Sequence, residues 1–336
     1  MERVQYGVIG CGEHAIQSHV IPNKDVAELE LAGVYDLSTA RASRFADEVG
    51  EATQTFASRR ELLASKIGAV VIATPDECHF DDLTATIRAG KHAFVEKPLA
   101  VNLAELEALP QVLQEADENG LVVSSCHPRR YDPPFMWLKD QLSTFREQFG
   151  HPLQLRFDFS YHKPAREWKH ERGLLLDHAN HEIDLASYLF GHSSFGATRL
   201  IDCYDRYQVA GMRDDGISFD FAGTRRLNTL TYPEWTTIRF ETGEVMIDSH
   251  KGLARINDHE TGQETNQSIP TTDYELRGSA TMKNFGRTIL GLTECYLSPQ
   301  DLYVNTALSV RLTNQETWRC DYGNTAAGQQ EPGSMR

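Results

Sequence analysis

The sequence predicts an α/β protein: a Rossmann-type, doubly wound parallel sheet first, then an α/β unit on a large open, mainly antiparallel sheet. Three observations predict this. Up to about residue 126, apolar runs alternate with helical patterns, as parallel strands joined by crossover helices require. A glycine turn joins the first strand to the first helix. Beyond Pro152 apolar residues recur at every second position, the period of strands with one buried face.

The strands of the first third read VQYGVIG, ELELAGVYD, AVVIATP, HAFVEKP and LVVSSCH. AVVIA is apolar throughout, as expected of a strand covered on both faces. Helical patterns lie between them in STARASRFADEVG, DDLTATIRAG and NLAELEALPQVLQEADENG. Gly90 and Gly120 suit left-handed helix ends, and Asn102 suits the start of the long helix.

The glycine turn is Gly10-Cys11-Gly12-Glu13-His14-Ala15. Gly10 permits the tight turn, Gly12 lets backbone N–H groups approach a pyrophosphate, and Ala15 takes the third small position. The helix start adds partial positive charge. Asp36 closes the second strand about twenty residues later, where a carboxylate binds ribose hydroxyls and repels a 2′-phosphate. NAD is therefore expected over NADP, with Arg41 able to soften the preference. Thr74 and Pro75 end the next strand, with His79 just beyond. Glu96 and Lys97 end HAFVEKP, so Lys97 is expected over the same crevice, beside the nicotinamide.

The chain has 336 residues, 40% apolar and 24% charged, with a net charge of −15. That charge excludes a nucleic-acid backbone as partner, which needs clustered cations. No apolar run approaches the roughly 20 residues that span a bilayer, so no membrane is expected. The N-terminus enters a strand at once, leaving no leader in the reading. Six scattered cysteines predict reduced thiols and a cytoplasmic protein.

After CHPRRYDPPF comes an amphipathic helix, FMWLKDQLSTFREQFG, then alternating strands in LQLRFDFSY, GISFDFAG, WTTIRFETG and EVMIDS. Gln154, Arg156, Asp158 and Ser160 fall on the more polar face of the first. A one-sided sheet of this size is expected to find a partner surface, giving a homodimer or homotetramer. The last stretch, 323–336, is small and polar and reads as a flexible tail.

From Leu174 to Leu189 the pattern is helical, ending at Gly191. Asp177 and His181 lie four apart, on one helical face. A carboxylate beside a histidine is an acid/base unit or, equally on spacing alone, a cap beside a buried ring. His178 and His181 raise zinc, but the spacing is not H-E-x-x-H and no third ligand is near, so no metal is expected. Asp184 reads as a structural partner. Trp168, in a polar loop before the helix, can stack on a sugar ring or cover an apolar edge. Arg129, like Arg130, can contact substrate or cofactor phosphate, or form an inter-domain ion pair.

The ordered set Gly10-Cys11-Gly12, ATPDECHFDDLTATIRAGKHAFVEKPLA, RRYDP and LLLDHANHEID closely resembles the glucose–fructose oxidoreductase / inositol dehydrogenase / MocA family over residues 4 to 190. The resemblance implies NAD or NADP and redox chemistry at a carbon of a sugar, cyclitol or related polyol. It implies Lys97 as the catalytic lysine and Asp177 with His181 as the D-x-x-x-H pair. It divides the chain into 1–126 for the dinucleotide, 127–322 for substrate and oligomerisation, and the tail. Where the family often carries two or three glycines before that pair, this chain has Arg172-Gly173, which leaves the substrate class open. Two alternatives stay open as well: a redox-neutral glycosidase of the same family, and a non-catalytic dinucleotide sensor.

Overall fold

The computed structural model describes residues 3–49, 53–160, 174–203, 205–225, 234–314 and 318–319. The first sheet contains β1 (Val4–Ile9), β2 (Leu29–Tyr35), β3 (Gln54–Thr55), β4 (Ala69–Ile72), β5 (His92–Val95) and β6 (Val123–Ser125). Their order is β3-β2-β1-β4-β5-β6 and every neighbouring pair is parallel. The order reverses between β1 and β4, which opens a crevice at the carboxyl ends of these strands.

Helices α1 (Thr39–Val49), α2 (Arg59–Ala64), α3 (His79–Arg88) and α4 (Leu103–Glu118) connect the strands. Asn102 caps α4 as expected, its side chain accepting from Glu105 N at 3.0 Å. Gly90 and Gly120 take φ of +68° and +66°. All four residues of β4 are buried, as its apolar run requires. The short β3 and α2 lacked a periodic signal.

After α5 (Pro133–Phe149) come β7 (Pro152–Ser160), α6 (Leu174–His178) and α7 (Asn180–Phe190). The second sheet adds β8 (Phe195–Asp202), β9 (Arg206–Arg213), β10 (Ser218–Thr224), β11 (Glu234–Phe240), β12 (Gly243–Asp248), β13 (Leu253–Asp258), β14 (Glu264–Ser268) and β15 (Trp318–Arg319). Its order is β14-β13-β12-β11-β7-β10-β9-β8-β15. The β7–β10 and β8–β15 pairs are parallel and the others antiparallel.

Leu155, Phe157 and Phe159 of β7 face inward with Phe219, Phe221 and Ile238, against Phe135, Leu138, Leu185 and Leu189 of α5 and α7. Each such side chain contributes about 1.5–3 kcal/mol on burial. Gln154, Arg156 and Asp158 are at least partly open on the other face, whereas Ser160 is covered. Among the described residues no helix is long and apolar enough to cross a membrane.

Two helices had no counterpart in the sequence reading: α8 (Tyr274–Ile289) and α9 (Pro299–Asn314). α8 returns to the first sheet, where Met282 and Phe285 join the core cluster of Val4, Val8, Val34 and Phe94. The Phe285 ring lies 5.5 Å from that of Phe94. A division after residue 126, drawn from strand alternation, does not anticipate this return. The segment expected to be a tail lies outside the described residues.

Candidate active site

The crevice begins at the glycine turn. Gly10 has φ of +94°, and a Cβ there would sit 2.6 Å from the Ala73 carbonyl oxygen, so only glycine fits. A Cβ on Gly12 would meet nothing within 4 Å. The outer face of the turn is thus open to a ligand, as a dinucleotide cradle requires. The chain then enters a π-helical run, Ala15–Val20, where an α-helix was expected. Glu13 is exposed and His14 half-exposed at its start.

Asp36 does more than face the crevice. Its Oδ2 accepts from Cys11 N at 2.9 Å and its Oδ1 from Ser38 N at 2.8 Å. The carboxylate pins the glycine turn to the end of β2, and Arg41 stands 3.6 Å away. Burial, then the Asp36 charge, pushes the Cys11 thiol up to about 12. Cys11 therefore contributes its backbone and its packing.

Thr74 donates to Asp82 at 2.8 Å, and Pro75 leads into a short 3₁₀ turn at Asp76–Cys78. His79 departs from its expected place against the cofactor. Its ring is 1% exposed, with Nδ1 2.8 Å from the Pro98 carbonyl and Nε2 2.8 Å from the Thr74 carbonyl. It ties together the loops after β4 and β5, a positioning role.

Lys97 reaches from the end of β5 into the second unit. Its Nζ donates to the main-chain carbonyl of Asp177 and lies 3.4 Å from Asp177 Oδ1. Arg225, unremarked in the sequence, stands 3.8 Å from Asp177 Oδ2. The predicted single helix over 174–189 is interrupted at Ala179. There the Asn180 side chain donates to the Leu176 carbonyl at 2.8 Å, a local bond that competes with the helical ladder. The start of α6 is held by Asp202, whose Oδ1 accepts from Leu175 N at 3.0 Å.

His181 sits behind this pair. Burial first, then the charges of Lys97 and Arg129, hold its ring well below the usual histidine range. A neutral imidazole is the form that accepts a proton. Its Nδ1 is buried and has no hydrogen-bond partner among the described residues. Lys97, at the end of β5, therefore meets Asp177 of α6, and His181 of α7 lies near enough to feel the lysine's charge.

Arg129 differs from its expected contact with substrate. Its Nη1 and Nη2 donate to Glu234 at 3.0 and 2.8 Å, and its guanidinium lies 4.1 Å over the Phe159 ring. With 5% of its surface exposed, it matches the ion-pair reading. Arg130 likewise binds Asp184 and Asp301, each at 2.7 Å, and Asp184 is structural, as read. His178 is engaged by Glu182 at 2.9 Å and Tyr207 at 3.0 Å. Trp168 lies outside the described residues.

His127, which follows β6, was passed over beside the two arginines. It is 2% exposed, neither ring nitrogen has a hydrogen-bond partner among the described residues, and burial holds it below the usual range. No periodic or spacing signal could have marked it.

A family model described as "Oxidoreductase family, NAD-binding Rossmann fold" matches residues 4–127. The chain is similar to a 4-carboxy-2-hydroxymuconate-6-semialdehyde dehydrogenase of a Sphingobium species, 23% identical over 78% of this chain and 82% of that protein. It is 29% identical to a Bacillus subtilis scyllo-inositol 2-dehydrogenase (NAD(+)) over 56% of this chain and 54% of that one, so that match spans about half of the relative. An Agrobacterium radiobacter oxidoreductase, solved with NAD+, L-tartaric acid and magnesium, superposes with a TM-score of 0.78 at 17% identity, covering 91% of this chain and 94% of that one. At that identity the likeness establishes the fold.

Proposed function

We propose that the chain is an NAD-dependent dehydrogenase or reductase of the glucose–fructose oxidoreductase / inositol dehydrogenase / MocA family, supported by the family model matched over residues 4–127, and that it acts on a carbinol or ketone carbon of a sugar, cyclitol or related polyol. One observation carries the site: the Lys97 amine, at the end of the cofactor-side strand, touches Asp177 of α6, one residue short of the break before α7, which bears His181.

Gly10, Cys11, Gly12, Glu13 and His14 present the turn that would take the pyrophosphate. Asp36 would take the ribose, with Thr74 and Pro75 lining the crevice opposite. Bound nicotinamide supplies the hydride acceptor or donor. This chain's residues do the rest. His181, held neutral, accepts the hydroxyl proton in oxidation and returns it in reduction. Lys97 stabilises negative charge developing on the same oxygen. Asp177 orients Lys97 and a neighbouring hydroxyl of the substrate.

Assembly as a homodimer or homotetramer in the cytoplasm completes the reading. It is supported by the outer face of the second sheet, where Leu153 and Met212 stay about half-exposed. Light scattering at micromolar concentration tests it, and a monomer overturns it.

The deciding experiment for function is NAD reduction measured across sugars, inositols and amino sugars. Net NADH formation with at least one polyol is expected. Turnover without net NADH, or no turnover with any, removes the reading.

A further inference from the structure

The π-helical run after the glycine turn does something that an α-helix would not. Ile21 N–H closes the run on Ile16 O, five residues back. In an α-helix, residues 14 and 19 would project from different faces. The wider π turn stacks residues five apart, so His14 and His19 come together with their rings 5.7 Å apart.

Both aim the same atom at one point. His14 Nε2 lies 3.0 Å, and His19 Nε2 2.6 Å, from Oε1 of Glu96. The three ligand atoms all lie within 4.8 Å of one another. Glu96 is oriented from its other oxygen, since Lys97 N lies 3.2 Å from Oε2. His14 is oriented from its other nitrogen, 3.1 Å from Ser18 Oγ. Ring nitrogens of metal-binding histidines are commonly held by such outer partners. Glu96 and His19 are buried, while His14 is half-exposed on the crevice side.

We propose that His14, His19 and Glu96 form a transition-metal site of the zinc class, with the two Nε2 atoms and Oε1 as ligands and an open position toward the crevice. Two imidazole nitrogens and one carboxylate oxygen gathered within 4.8 Å of one another are a donor set that suits a borderline ion such as zinc. Hard magnesium prefers an all-oxygen shell. The site stands on this geometry and does not depend on the polyol reading.

The test strips the full-length protein with a chelator and titrates Zn²⁺ against a competing metal-sensitive dye. One tight equivalent is expected, undisturbed by millimolar Mg²⁺. His14→Ala, at a half-exposed position that the fold tolerates, should weaken binding on the order of 100-fold, about one ligand's share of a typical zinc affinity. His19→Ala should do the same, with circular dichroism confirming that the chain is folded. His151→Ala, at an exposed histidine elsewhere, should leave binding unchanged. Absence of a tight equivalent, or binding unaffected by His14→Ala, overturns the site.

Discussion

Lys97 and Arg129 follow adjacent strands of the same sheet, and both send a cation toward the second unit, yet their surroundings differ in kind. Arg129 is a closed case: a planar fork matched to both oxygens of Glu234 and backed by an aromatic face. Nothing in that geometry is left for a ligand. The Lys97 region instead gathers a lysine, a carboxylate and a histidine, and the histidine's buried Nδ1 has no hydrogen-bond partner among the described residues. The difference teaches that burial of charge alone does not mark a reactive site. Saturated pairing marks architecture, and incomplete pairing at a crevice marks chemistry.

That contrast breaks most visibly in catalysis. Lys97→Ala and His181→Ala should each lower kcat by about 10²–10⁴ while NAD binding, followed by tryptophan fluorescence, persists. The double variant should lose less than the product, because both groups act on one oxygen. Full additivity would separate the two roles.

Next in size is stability. Glu234→Gln strands the Arg129 guanidinium and should cost about 3–5 kcal/mol in denaturant unfolding. Lys97→Ala should cost far less. If the two costs were equal, the distinction between closed and open regions would fail.

pH sharpens the same contrast. Burial would raise the Glu234 carboxyl, but Arg129 outweighs it and holds it down to about 2. This stabilisation is complete above the ordinary carboxylate value and is lost as pH falls from about 4.5 toward 2. His181 acts in the same sense over a higher pH range. Its folded ring resists protonation while the unfolded ring does not, so stability declines as pH drops below about 6.5. The acid limb of kcat/KM should accordingly lie below the ordinary histidine value, and a limb above it would remove His181 as the base.

The smallest effect belongs to Asp36. Asp36→Ala should shift the NADP-to-NAD ratio of kcat/KM about fivefold, since one screened repulsion is worth about 1 kcal/mol. Equal use of both cofactors by the unaltered protein would mean that Arg41, 3.6 Å from the carboxylate, already neutralises it.

The sequence made the first sheet legible because AVVIA and its neighbours carry their burial in a continuous run, and Gly10 carries its φ in its identity. Lys97, Asp177 and His181 were legible through motif and spacing. What escaped was set by distant partners. Arg225 meets Asp177 only once α6 lies beside the end of β10, and Glu234 meets Arg129 only once the two sheets are placed side by side. His79 looked like a crevice residue because it starts a helix at the right edge, but its two carbonyl partners come from loops separated in sequence. The meeting of His14 and His19 depended on a π turn that no period of 3.6 announces.

The return of α8 to the first sheet bears on how the chain emerges during synthesis. Val4, Val34 and Phe94 are made early, but Met282 and Phe285, which complete their core, are made last among that cluster. At about 5–20 residues per second, the gap between Phe94 and Phe285 is roughly 10–40 s. For that interval the nascent dinucleotide half carries an uncovered apolar patch. A chaperone holding the emerging chain, or a fragment ending near residue 126 that aggregates on its own, would be the cellular trace of one late helix.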